Sequence, residues 1–295
     1  MTERRVRVGG VEIWSEAVGD PEGAPLLLIM GANASGLVWP EAFVKMLAAG
    51  GHRVIRYDHR DTGTSTRRAF AARPYSVEDL ARDAVGVLDG HGVEAAHVVG
   101  MSMGGTVGQV LALDHRERLR TLTVMMTAAL GVDFVGNMQR AMAGLPSLDG
   151  LPTPRREVLE ALGGRAQGVR DREAELDRRV AEWRVLSGEV LPFDAEAFRA
   201  MEERVMDHAG TLDPAMTHLL AEPVALARGA ELGGITTPTL VIQGMADPLN
   251  PPPHGRYLAG KIPGSRCVEV PGMGHALIAA VQRTVAEAIL ARTQA

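Results

Sequence analysis

The chain has 295 residues, a formal net charge of -5, and 46% hydrophobic against 23% charged residues. That balance excludes a fibrous or disordered chain, and the acidic excess offers no basic stripe of the kind a nucleic-acid surface needs. Only Lys45 and Lys261 are lysines, so the basic residues are nearly all arginine, a bias of composition rather than a binding device. The single cysteine, Cys267, cannot form an internal disulfide, which points to a reducing compartment. The N-terminal segment has no apolar h-region, and no apolar run approaches the ~18 residues of a spanning helix. The expectation is a cytoplasmic protein with neither a membrane nor a nucleic-acid partner.

Residues 5–8 and 11–16 read as short strands around a Gly9-Gly10 turn. Leu26-Leu27-Leu28-Ile29-Met30 is apolar on both faces, as suits a strand buried between two helix layers. Further strands are expected at Val54–Tyr57, Ala96–Val99 and Leu122–Met126. Ser76 is a good N-cap for a helix carrying Glu78 and Asp79 in its first turn. This alternation predicts an α/β fold, a mostly parallel sheet with helices on both faces. The pattern breaks after residue 132, where mixed-charge helical segments such as Asp171–Val180 take over. It resumes with strands at Thr239–Gln243 and Arg266–Val270 and a closing amphipathic helix through Leu277, Val281, Val285 and Ile289. The reading is an α/β core of residues 1–132 and 233–295, with a helical cap of residues 133–232 inserted before the last two strands.

Gly100-Met101-Ser102-Met103-Gly104 is the sharpest motif. With 8 serines and 34 glycines, chance alone would supply roughly 0.1 such G-x-S-x-G matches, so the setting matters more than the match. A strand precedes it and a helix follows it, the arrangement of a nucleophile elbow. Ser102 is therefore the candidate nucleophile, and the Met103 N–H, at the helix start, a candidate oxyanion donor. A serine hydroxyl needs a base. Of nine histidines, His275 has the best position, in a loop between the last strand and the last helix. His97 reads as a packed strand residue, while His59, His208, His218 and His254 are less easily set aside. The imidazole needs an acid, and two aspartates follow strands, Asp247 and Asp133. The order Ser102, Asp247, His275 favours Asp247. The second oxyanion donor is expected in the loop after the Leu26 strand, where Gly31 permits a close turn and Ala32 supplies the N–H.

With these residues in place the chain resembles the α/β-hydrolase family over essentially its whole length. The family's usual His-Gly at the oxyanion loop is Met30-Gly31 here, and its D-x-R-G-x-G-x-S loop stands as Asp58-His59-Arg60-Asp61-Thr62-Gly63-Thr64-Ser65, with Asp61 in place of glycine. Arg56–Gly63, Trp183–Gly188, Asp207–Gly210, Pro253–Gly255 and Pro271–Ala276 resemble the aclacinomycin methylesterase family, which removes the methyl of a methoxycarbonyl group on anthracyclines. The resemblance implies a serine esterase with Ser102, Asp247 and His275 as its triad, Ala32 and Met103 as oxyanion donors, and an anthracycline as small-molecule partner. It implies no metal and no organic cofactor. Gly31, Met101, Met126, Met245 and Met273 adjoin the same strand ends, and methionine favours aromatic faces, so they are candidates for substrate contact. The alternative is that these methionines are core plugs. The same triad would also serve a lactonase or a cofactor-free perhydrolase or haloperoxidase, and a ligand receptor could retain it.

Overall fold

The structure, a computed structural model, describes residues 2–164, 171–213 and 215–294. Its apolar runs assemble one eight-stranded sheet, in the order β1-β2-β4-β3-β5-β6-β7-β8. The strands are β1 (Thr2–Val8), β2 (Val11–Val18), β3 (Ala24–Ile29), β4 (His52–Tyr57), β5 (Ala96–Met101), β6 (Leu119–Met125), β7 (Thr239–Gly244) and β8 (Arg266–Val270). The hairpin β1–β2 and the β2–β4 pair are antiparallel, and every other pair is parallel. Two residues fall outside the strands their apolar runs suggested. Met30 already belongs to the loop leaving β3, and Met126 leaves β6 with a left-handed φ of 52°.

Because side chains alternate across a strand, each apolar run feeds two cores. Leu27, Ile29, Val98, Val124 and Val241 face the layer of helices α2 (Val77–Gly90), α3 (Met103–Asp114) and, late in the chain, α8 (His254–Lys261). Leu26, Leu28, Val99, Met125 and Ile242 face α1 (Glu41–Ala49) and α9 (Ala279–Thr293). Helix α2 starts where Ser76 predicts, with a reciprocal capping box: Ser76 Oγ accepts from Asp79 N and Asp79 Oδ2 accepts from Ser76 N.

Between β6 and β7 the chain forms α4 (Phe134–Met142), α5 (Arg156–Gly163), α6 (Arg172–Leu186) and α7 (Ala195–Ala209). Asp133, Asp171 and Asp194 each accept a backbone N–H at 2.9–3.0 Å and start α4, α6 and α7. Helices α6 and α7 are tied by charge: Arg179 reaches Glu175 at 2.8 Å and Glu202 at 3.0 Å, and Trp183 Nε1 donates to Glu202 at 2.6 Å.

The turn from β5 into α3 depends on the absence of side chains. A Cβ at Gly100 would stand 2.1 Å from Gly104 O, and one at Gly104 would stand 2.1 Å from Ile29 O. Both obstacles are backbone and cannot rotate away. Gly104→Ala is therefore expected to lower stability by about 1–3 kcal/mol in urea unfolding, as overpacking does. Gly163→Ala, whose new Cβ would meet nothing within 4 Å, is expected to be neutral or slightly stabilising. Equal effects would show that the contact at Gly104 is not tight.

Candidate active site

The loops leaving the parallel strands converge at one edge of the sheet. The four non-glycine residues with left-handed φ among the described residues lie in successive exits: Asn33 after β3, Asp61 after β4, Ser102 after β5 and Met126 after β6. Such conformations are costly and persist where the surroundings over-determine them. Asp61 stands where the family usually has glycine, at a φ of 66°, and its Oδ1 holds Arg68 N at 2.9 Å. An aspartate tolerates this region through such local bonding.

Ser102 is the residue between β5 and α3, at φ 55° and ψ -123°. Its N–H donates to Met125 O at 2.9 Å, and a Cβ at Gly31 would lie 3.2 Å from Ser102 Cβ. The β3 exit loop therefore passes directly over the serine. Met103 is the first residue of α3, so its N–H has no intrahelical acceptor. Neither this N–H nor that of Ala32 finds an acceptor among the described residues.

Asp247 and His275, from the exits of β7 and β8, meet in a buried pair: His275 Nδ1 lies 2.9 Å from Asp247 Oδ2 and 3.1 Å from Oδ1. Asp247 is 1% and His275 4% exposed. A carboxylate only accepts, so Nδ1 carries the proton and Nε2 is left as the basic nitrogen. Asp247 Oδ1 also accepts from Leu249 N and Asn250 N, each at 2.8 Å, which fixes the carboxylate. Asn250 in turn donates from Nδ2 to Met126 O at 3.0 Å, tying the acid loop to the β6 exit. The His275 N–H donates to Leu186 O at 2.6 Å, the last residue of α6. Gly274 permits this approach, since a Cβ there would be 2.2 Å from Ser187 O.

Asp133 is exposed, and its carboxylate caps α4 by accepting from Gly136 N. Three of the other histidines are engaged elsewhere. His208 pairs with Asp58 at 2.7 Å, His254 bonds Pro152 O at 2.9 Å, and His97 bonds Thr121 from within β5. Met101, Met126 and Met273 are 4%, 1% and 0% exposed and pack with Met30 and Met125 in the core beneath the loops. Met245 is 39% exposed, Met103 is partly buried, and Gly31 is buried beside Ser102.

One residue and one contact escaped the sequence reading. Asn250, in Leu249-Asn250-Pro251, looks like an ordinary turn residue. Asn33, in the expected oxyanion loop, is bonded to His218 across 185 positions, and no spacing signal joins the two.

Several histidines are held neutral. Burial is the largest cause in each case, and it lowers His59, His91 and His97 to about 4 and His218 to about 3. The unfolded chain takes up protons near pH ~6.5 that the folded chain refuses until about pH 4, so the stability is present above ~6.5 and lost on acidification through that window. Each such histidine contributes up to about 1.4 kcal/mol per pH unit. Urea unfolding is expected to show stability falling from about pH 7 to about pH 5; a flat profile would contradict their burial.

Residues 24–279 match the family described as alpha/beta hydrolase fold. Rhodomycin D methylesterase DauP of Streptomyces sp. (strain C5) is 53% identical, over 100% of this chain and 99% of the relative. Rhodomycin D methylesterase DnrP of Streptomyces peucetius is 52% identical over the same shares. A hydrolase from Pseudomonas aeruginosa PA01, known as a crystal structure, has a TM-score of 0.69 at 26% identity, covering 99% of this chain and 98% of that one. Sheet order, strand-to-helix turn and full-length similarity thus lead to one assignment: the chain belongs to the alpha/beta-hydrolase family.

Proposed function

We propose that this protein is a serine carboxylic ester hydrolase that removes the methyl ester from an anthracycline-type polycyclic aromatic polyketide. The observation that carries the substrate class is full-length identity of 52–53% with two rhodomycin D methylesterases. The chemistry is supported by the hydrogen-bonded Asp247–His275 pair at the sheet edge that also presents Ser102.

In this reading Ser102 Oγ attacks the ester carbonyl carbon while His275 Nε2 takes its proton. The carbonyl oxygen becomes an oxyanion and is met by the free N–H groups of Ala32 and Met103. Collapse breaks the bond to the methoxy oxygen, which leaves as methanol with the proton from His275. Water then attacks the acyl-serine, again with His275 as base, and the free acid departs. Asp247 holds the tautomer and stabilises the imidazolium. The chemistry needs no metal or organic cofactor. The helices between β6 and β7 serve as the cap over this site, with Gly31 beside Ser102 and the methionines Met101, Met126 and Met273 packed beneath the loops that carry it.

Three expectations test the reading. Ser102→Ala is expected to keep the fold and lose about three to six orders of magnitude in kcat, because nucleophile and base act as a unit. A phosphonate ester is expected to label Ser102; labelling elsewhere defeats the assignment. Asp247→Asn is expected to lose most activity, and Asp133→Asn little; the reverse would move the acid to the β6 exit.

Selectivity follows from apolar burial, which scales with contact area at about 25 cal/mol per Å². A methyl leaving group offers little area, so recognition falls on the acyl side. In an ester series varied on each side, a fused-ring acyl group is expected to raise kcat/KM. Each methylene added to the alcohol is expected to cost ~1–3 kcal/mol of discrimination. Best turnover on long-chain alkyl esters of short acids would indicate a generic esterase.

A further inference from the structure

An oxyanion donor works only if its dipole is set before charge develops. Ala32 sits in a loop that has left the β3 ladder, so something other than the sheet has to hold its peptide plane. The structure supplies that hold on both sides. His59 Nε2 lies 2.9 Å from Met30 O, and Asn33 N donates to His218 Nδ1 at 2.7 Å. Met30 O belongs to the Met30–Gly31 peptide, and Asn33 N to the Ala32–Asn33 peptide. The plane between them is the one that carries the Ala32 N–H. Asn33 Oδ1 closes a return bond by accepting from His218 N at 3.2 Å.

We infer that His59 and His218 are positioning residues that pin the peptide planes flanking Gly31-Ala32 and so aim the Ala32 N–H at the Ser102 adduct. The inference rests on the proposed role of Ala32 as oxyanion donor.

The proton positions follow from the partners. A carbonyl accepts, so His59 is the Nε2–H tautomer. His218 Nε2 faces Arg60 O at 3.0 Å, so it too is protonated there, leaving the Nδ1 lone pair for Asn33 N–H. The two rings meet edge to face, with centroids 5.3 Å apart and planes at 83°. His59 is 0% and His218 6% exposed. A proton on His218 Nδ1 would set N–H against N–H. Burial, which lowers both groups to about 4 and about 3, opposes that proton. His218 belongs to a short helical turn, Thr217–Leu219, between α7 and β7, so a residue 185 positions along the chain sets the loop leaving the central strand β3.

The test has two arms. Nitrogen NMR of the unmodified protein is expected to show His59 and His218 as neutral Nε2–H tautomers that do not titrate between about pH 8 and about pH 5. An Nδ1–H tautomer at His218, or titration in that range, overturns the bracket. In kinetics, His218→Leu is expected to lower kcat about 10- to 100-fold and leave KM within about twofold, because the lost interaction serves only the transition state. His218→Asn, whose Oδ1 can accept in place of Nδ1, is expected to recover most of that loss. Unchanged kcat in His218→Leu, equal losses in both variants, or a rise in KM alone would overturn the inference. An unmodified protein inactive on every ester would defeat the functional reading instead, and the NMR arm would still judge the bracket.

Discussion

The backbone of Ser102 is the constraint on which the rest of the site depends. A non-glycine residue at φ 55° and ψ -123° is unfavourable, and it is held only because β3, β5 and α3 crowd together without side chains at Gly31, Gly100 and Gly104. That crowding lifts the hydroxyl clear of the sheet. It also leaves the first N–H of α3 without a partner and brings the β3 exit loop over the serine. One packing solution therefore presents the candidate nucleophile and two N–H groups without acceptors together.

The same economy runs along the sheet edge. Neighbouring exits are bonded to one another: Ser102 N to Met125 O, Asn250 Nδ2 to Met126 O, and His275 Nδ1 to Asp247 Oδ2, while Leu249 N and Asn250 N steady Asp247 from within its own loop. The Asp58 carboxylate accepts from Ser35, Gly36, Thr64 and His208, stitching the β3 and β4 exits to α7. The four strained exits are thus held by hydrogen bonds between the β3 and β4 loops and between the β5, β6 and β7 loops, with Gly31 packed against Ser102 between the two groups. Interactions of this kind polarise one another and hold a site still before substrate arrives.

How much of this could be read from the chain depended on the range of each interaction. Runs such as Leu26–Ile29 and Val98–Val99 announce buried strands locally, and Ser76 announces a helix start. The elbow at Ser102 is legible because its strand, turn and helix are contiguous. The exits that carry Asp247 and His275 follow from strand order. By contrast, α6 is held largely by arginine–glutamate pairs, with only Leu176 and Leu186 as buried apolar positions, so its apolar periodicity is weak. Asn33 with His218, and His59 with Met30, are contacts made only by the tertiary fold. A lone histidine in a short helical turn carries no spacing signal. At Asp61, where the sequence departs from the family's glycine, the left-handed backbone is kept.

The bond from His275 N to Leu186 O bears on how such proteins diversify. It makes the end of α6 a structural support of the loop bearing the candidate base, and Ser187 O occupies the space that any side chain at position 274 would need. The helical insertion is consequently not an interchangeable module. Grafting a foreign insertion to change what the pocket accepts would also remove the carbonyl that seats His275. A foreign insertion would have to bring an equivalent carbonyl to that point to seat the same loop. Substitutions within the helices, by contrast, would reshape the pocket and leave that carbonyl in place.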